Sequence, residues 1–128
     1  MVYLVDIKSD GVLAEVCRLT ANAALQRGDA AHVATSDNRE LIERWIDEGK
    51  RFVEKALGRY SKGNMKYSMP YEWPNRSEEV NGMAELFLVN YALAKWFELW
   101  AEGPRYIEAA NVALESIRGI LNRREKPL

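Results

Sequence analysis

The sequence contains few of the residues from which catalytic centres are usually built. Its 128 residues include one cysteine and one histidine, so it can form no intramolecular disulfide and no Ser-His-Asp set without that histidine. Cys17 falls on the apolar face of a predicted helix, and a small buried residue is a simpler interpretation there than a nucleophile. His32 lies in the loop sequence DAAHVATSD, which favours a surface position. Metal-ligand spacing and a Gly-rich phosphate loop are also missing, so we expect no enzyme, no cofactor and no metal.

The sequence also has no large excess of positive or negative charge and no apolar run long enough to cross a membrane. The net charge is −1, so no overall field attracts nucleic acid or an anionic membrane. The first ten residues, MVYLVDIKSD, have no basic region and no small-residue cleavage site, and a signal peptide is not expected. As a helix, the apolar run Leu86–Trp100 would span about 22 Å, less than the roughly 30 Å of a hydrocarbon core. A single cysteine fits a reducing cytoplasm or a compartment where disulfides are not needed.

What is present is typical of one globular domain over residues 1–128. Hydrophobic residues make up 48% and charged residues 29% of the chain, and the length suits a single core. The pattern predicts an all-α fold, a four-helix bundle. Its first helix begins at Ser9 or Asp10 and is closed by Gly28. Its second covers SDNRELIERWIDEGKRFVEKALGRY, with one apolar stripe and with Asp37 and Glu40 spaced as in a capping box.

The third predicted helix, Ser77–Glu102, is apolar on almost every side, which indicates a helix surrounded by partners. Gly103-Pro104 then breaks the chain, and the short joint implies that the fourth helix, ending in NRREKPL, is an antiparallel neighbour. A small bundle has little room for all the large aromatic residues of the third helix. We therefore expect either the long loop before it or another subunit to cover part of it.

That loop, Ser61–Arg76, contains two prolines and several aromatic residues. Alternation of apolar and polar residues from Met65 to Met69 predicts a short strand or hairpin. Because mobile linkers seldom carry so much apolar surface, the loop should pack on its own subunit or on a neighbour. The residues predicted to form a subunit interface are Met65, Tyr67, Met69, Tyr71, Trp73, Phe87, Asn90, Tyr91 and Phe97.

Two polar features have competing interpretations. Asn90, on a mostly apolar surface, could set the register between packed helices or could bond to a loop. Near the carboxyl end, Arg123, Arg124 and Lys126 follow Arg118. The helix dipole favours cations there and is the simpler explanation. The alternative is a non-specific contact with DNA.

The order of the predicted helices and the long loop along the chain resembles that of the helical head–tail connector, or neck, proteins of tailed bacteriophages and prophages. The likeness lies in DNRELIERWIDEGKRFVEKALGRY with its Pro-containing loop, in AELFLVNYALAKWFELWAEG, and in ALESIRGILNRREKP. The stretch GVLAEVCRLTANAA is similar to the first helix of uncharacterised prophage proteins of Bacteroides-type bacteria.

The resemblance implies a structural subunit that self-associates into a ring, with portal and tail proteins as partners. It also implies location in the cytoplasm of a bacterial host and then in the virion, and it transfers no catalytic residue. The alternative is a small helical protein–protein interaction or regulatory module. A third class, an enzyme with a small molecule between helices, would need a pocket near Trp96 and Trp100 with convergent polar groups.

Overall fold

The computed structural model describes residues 1–27, 33–70, 72, 76–98 and 104–122, with the backbone alone at 23–27 and 104. Within these residues the chain forms four helices and three short strands. The helices are α1 (Ser9–Arg27), α2 (Arg39–Leu57), α3 (Arg76–Glu98) and α4 (Pro104–Leu121), and the strands are β1 (Val2–Leu4), β2 (Ser61–Gly63) and β3 (Lys66–Ser68). The helix-rich fold with four helices is confirmed, and a three-stranded sheet adds to the predicted all-α class.

Helix α2 starts with a different cap from the predicted one. A 3-10 turn, Ser36–Asn38, precedes the helix, and its N-cap is Thr35. The Thr35 hydroxyl accepts from the Asp37 backbone N–H, and the Asn38 side chain accepts in return from the Thr35 N–H. The capping box therefore joins Thr35 and Asn38 instead of Asp37 and Glu40, because the extra turn moves the cap toward the amino terminus. The predicted closure of α1 by Gly28 falls outside the described residues.

The sheet places the first strand of the chain against the predicted hairpin. β3 lies in the centre, antiparallel to both β1 and β2. The hairpin turns at Asn64 and Met65, which have φ values of 54° and 61°. Asparagine adopts this left-handed conformation readily, whereas methionine does so rarely. Met65 therefore belongs to the turn, and the strand begins one residue later than the alternation suggested.

Helix α3 is the centre of the core and packs against α1, α2 and α4. Between Phe87 and Phe97, every residue is buried except Asn90, Tyr91 and Lys95. Tyr106 of α4 stacks on Phe97, with ring centroids 5.1 Å apart and an angle of 13° between the rings. Three helices of the same chain thus enclose most of α3. This explains why its sequence is apolar on nearly all sides.

Close approach of α2 to α3 depends on Gly49. A Cβ atom at this position would lie 2.5 Å from Leu88 Cδ2 and 3.3 Å from Tyr91 Cδ1. Real Cβ contacts are longer, and Leu88 is fully buried, so its methyl group has no free space to move into. Glycine at this position therefore sets the distance between the two helices.

We predict that Gly49→Ala lowers the free energy of unfolding by about 1–3 kcal/mol, because the added methyl overpacks the α2–α3 contact. The matched control is Gly119→Ala in α4, where an added Cβ meets no atom within 4 Å. That change should raise stability by roughly 0.5–1 kcal/mol, as alanine favours the helix. Urea unfolding followed by circular dichroism measures both. Equal effects of the two substitutions would contradict the close contact.

Candidate interaction surface

Three aromatic side chains meet where α2 crosses α3, and we call Phe52, Phe87 and Tyr91 the aromatic cluster. The Phe52 ring centroid lies 5.7 Å from that of Tyr91 and 6.3 Å from that of Phe87, and the latter two are 5.6 Å apart. Phe87 and Tyr91 are one helical turn apart on α3. Phe52 lies about one turn after Gly49 on α2, so the close helix contact brings it to the other two rings.

Exposure differs sharply within the aromatic cluster. Phe87 forms the buried base, Tyr91 is half-buried, and Phe52 is 45% exposed. Tilted rings at these separations attract one another beyond their burial of apolar area. The arrangement holds Phe52 against a rigid base while leaving much of its ring in water.

Charged groups surround the aromatic cluster. The Tyr91 hydroxyl donates to Glu48 Oε2 at 3.2 Å, and Lys95 Nζ lies 5.7 Å from the centroid of the Tyr91 ring. Burial raises the pKa of Tyr91, and the nearby Glu48 carboxylate raises it further. Arg51, Glu54 and Lys55 line a shallow depression of about 330 Å³ beside Phe52. An aromatic centre within a polar rim is the usual anatomy of a protein–protein interface.

Four of the nine predicted interface residues lie inside the chain instead of on its surface. Tyr67, Met69, Phe87 and Phe97 are all at least 96% buried. Strand β1 pairs with β3 and covers the hairpin, and α4 covers Phe97. These four side chains are not available to a second subunit in this structure, which corrects the prediction made for them. Of the two alternatives for the loop, its described apolar residues pack on their own subunit.

The remaining predicted interface residues have mixed outcomes. Met65 is half-buried against the core, and Tyr91 belongs to the aromatic cluster. Asn90 donates from Nδ2 to the carbonyl oxygen of Leu86 in its own helix at 2.9 Å. Among the residues that the structure describes, this amide therefore bonds neither to a loop nor to another helix. Tyr71 and Trp73 fall outside the described residues, as do His32, Trp100 and the cations Arg123, Arg124 and Lys126.

Sequence reasoning did not select Phe52 as an interface residue. It belongs to the apolar stripe of α2, in which Trp45, Ile46, Val53 and Ala56 are buried. Phe52 lies at the margin of that stripe, on the side of Glu48. Phe52 is exposed because it lies at the edge of the contact between α2 and α3. The apolar periodicity of α2 alone does not show where that contact ends.

Groups with potential chemistry are sparse in the described part of the chain. Cys17 is half-buried, and burial raises the pKa of its thiol, which disfavours the nucleophilic thiolate. Among the described residues, no three His, Cys, Asp or Glu side chains come close enough to share a metal ion. None of the helices, over the same residues, is long and apolar enough to cross a membrane.

Comparison of the chain with protein-family models, with curated proteins and with solved structures gives no match.

Tyr67, the central residue of β3, has a buried hydroxyl without a hydrogen-bond partner among the described residues. Its ring stacks on Tyr3 of β1, with centroids 5.5 Å apart. Burial raises the pKa of Tyr67 from 10.0 to about 12, with a smaller contribution from Tyr3. The folded state therefore keeps this proton at a pH where the unfolded state has released it.

We predict that Tyr67→Phe leaves the free energy of unfolding at neutral pH unchanged or raises it by up to about 1 kcal/mol, because no hydrogen bond is lost. Tyr91→Phe is the matched control and should cost about 1 kcal/mol, since the Glu48 carboxylate loses its donor. Urea unfolding compares the two. A larger loss for Tyr67→Phe than for Tyr91→Phe would show that the Tyr67 hydroxyl has a partner.

The same residue predicts a pH dependence with a definite sign. The contribution of Tyr67 to stability is complete below pH 10 and is lost between pH 10 and 12, because only the unfolded chain ionises there. The shift of about two pKa units corresponds to at most roughly 3 kcal/mol. Tyr67→Phe should therefore lose less stability than the unmodified chain between pH 10 and 12. If the free energy of unfolding falls equally with pH in Tyr67→Phe and in the unmodified chain, this prediction is wrong.

Proposed function

We propose that this chain is a non-enzymatic assembly subunit that self-associates through the aromatic cluster. The single observation that carries the proposal is the half-exposed ring of Phe52, fixed on a buried aromatic base and surrounded by charges of both signs. Tyrosine, phenylalanine and tryptophan held in this way are typical anchors of protein interfaces.

The specific form we propose is a subunit of a phage or prophage head–tail connector that assembles into a ring. The support is the order of parts in the sequence, together with four helices and a hairpin between the second and third. We also propose that the four helices form a bundle around α3. Portal and tail proteins would be the partners, and the subunit would pass from the cytoplasm of the bacterial host into the virion.

A ring requires two different surfaces on each subunit, because a head-to-tail contact joins unlike patches. The aromatic cluster supplies one. A groove of about 450 Å³ between α1 and α3 offers a second, with Leu86 and Val89 as apolar lining and Glu15 and Glu85 at the rim. Leu86 is 47% exposed. Basic residues beside Phe52, namely Arg51 and Lys55, are complementary in charge to this acidic rim.

The same groove favours the second candidate, a small helical interaction or regulatory module. In that case the groove would receive an amphipathic helix of a different protein, with basic residues facing Glu15 and Glu85. The two candidates differ in solution mass, since a module of this kind remains a small species at every concentration.

We predict that Phe52→Lys reduces self-association by at least tenfold in concentration, because it replaces the anchor with a charge. The matched control is Val112→Lys in α4. Val112 is 67% exposed. Lysine at position 52 would follow Glu48 by four residues, and lysine at position 112 would follow Glu108 by four. Both variants therefore gain the same type of i,i+4 charge pair. Light scattering coupled to size exclusion measures the mass over a wide concentration range.

Phe97→Glu is unsuitable for this test, since Phe97 is 97% buried and the charge would unfold the chain. An unmodified chain that stays monomeric throughout the range would overturn self-association by the isolated subunit and favour the interaction module. Equal loss of association in Phe52→Lys and Val112→Lys would exclude the aromatic cluster as the contact.

A further inference from the structure

The carboxyl ends of α2 and α4 meet at a cleft of about 370 Å³ whose charged lining residues are all cations. Lys55, Arg59 and Arg118 line it, together with Tyr60 and Asn122. These residues come from two segments more than fifty positions apart, so the cluster is a property of the fold and cannot be found by inspecting a local run of sequence. The net charge of −1 makes such a local concentration of one sign informative.

The interactions around the cleft leave part of its charge unneutralised. Arg118 Nη1 pairs with Glu115, a carboxylate on the exposed side of the same helix. Arg59 Nη2 donates to the Tyr60 hydroxyl at 2.8 Å, and its guanidinium lies 5.0 Å from the centroid of the Tyr60 ring. Neither contact of Arg59 removes its charge, and each guanidinium keeps further N–H donors. The described residues that line the cleft include no carboxylate.

The helix ends explain part of this arrangement but not its geometry. Cations are favoured near helix carboxyl ends, where free carbonyl groups give a partial negative charge of about half a unit. Two ends therefore balance roughly one of the three positive charges, and Glu115 balances that of Arg118, so about one positive charge remains. The remaining charge faces an open concavity instead of spreading over a convex surface, which concentrates the field where a small anion would sit.

We infer that this cleft, formed by Lys55, Arg59 and Arg118, binds a phosphate group. Guanidinium groups bind phosphate oxygens through paired N–H donors, and an ammonium group adds a third positive contact. The Tyr60 ring beside the cations provides a flat surface of the kind on which a base attached to the phosphate could stack. Two sources supply this chemistry: the phosphodiester backbone of a single-stranded nucleic acid, and a free phosphate or nucleotide. Lys55 also borders the depression beside Phe52, but Arg59 and Arg118 line neither that depression nor the groove between α1 and α3. A loss of binding on changing these two arginines is therefore independent of the proposed self-association.

The test is fluorescence anisotropy with a labelled single-stranded oligonucleotide of twenty thymidines, with inorganic phosphate and ATP as separate competitors. The full chain is used at 50 mM and 200 mM salt. The test variant is Arg59→Gln/Arg118→Gln. The control Arg44→Gln/Arg105→Gln removes the same charge from exposed positions of α2 and α4 that do not line the cleft. All four arginines are exposed, so circular dichroism should show unchanged folds.

At 50 mM salt we expect the test variant to bind the oligonucleotide at least tenfold more weakly than the unmodified chain. The control should bind within twofold of the unmodified chain. Raising the salt to 200 mM should weaken the binding of the unmodified chain. Displacement by ATP or phosphate at concentrations near those of oligonucleotide binding supports the cleft and identifies a small ligand. Displacement only by unlabelled oligonucleotide supports it and identifies the nucleic-acid backbone. Absence of oligonucleotide binding at 50 mM salt, together with no heat of binding for phosphate or ATP by isothermal titration calorimetry, overturns the inference. Equal weakening in both variants overturns it as well.

Discussion

The close contact between α2 and α3 is the constraint on which the rest of the structure depends. Only a residue without a side chain at position 49 lets Leu88 and Tyr91 come as near as they do. The same approach brings Tyr91 within hydrogen-bonding distance of Glu48 and places Phe52 against two rings of α3. One glycine thus determines both the packing of the core and the position of the surface that we assign to association.

Burial of α3 by its own chain changes where association can occur. A helix that is apolar on almost every side suggests a subunit interface, yet α1, α2 and α4 already enclose most of it. Strand β1 pairs with β3 of the hairpin, and Asp6, which follows β1, donates from its backbone N–H to the Asn81 side chain of α3. The residues left for partners are those at the margins of the helix contacts, of which Phe52 and Leu86 are the largest on α2 and α3.

Sequence periodicity predicted the four helices well, because each buried stripe or fully apolar face is a local property. It also predicted that α3 is surrounded, but a pattern cannot distinguish cover by the same chain from cover by another. Phe87 and Phe97 were assigned to an interface for that reason. The Thr35 cap and the left-handed Met65 depend on backbone turns that residue preferences disfavour or leave open. The basic cleft joins residues distant in sequence, so only the fold reveals it.

Amide hydrogen exchange of α3 in the monomer tests directly whether the chain itself encloses this helix. The protein is measured at a dilution where light scattering gives the mass of a single chain. If the chain itself encloses α3, the amides from Leu88 to Ala94 exchange among the slowest, with an opening free energy close to that of global unfolding. Fast exchange of these amides in the monomer, with protection regained on association, would contradict the account and show that a second subunit covers α3.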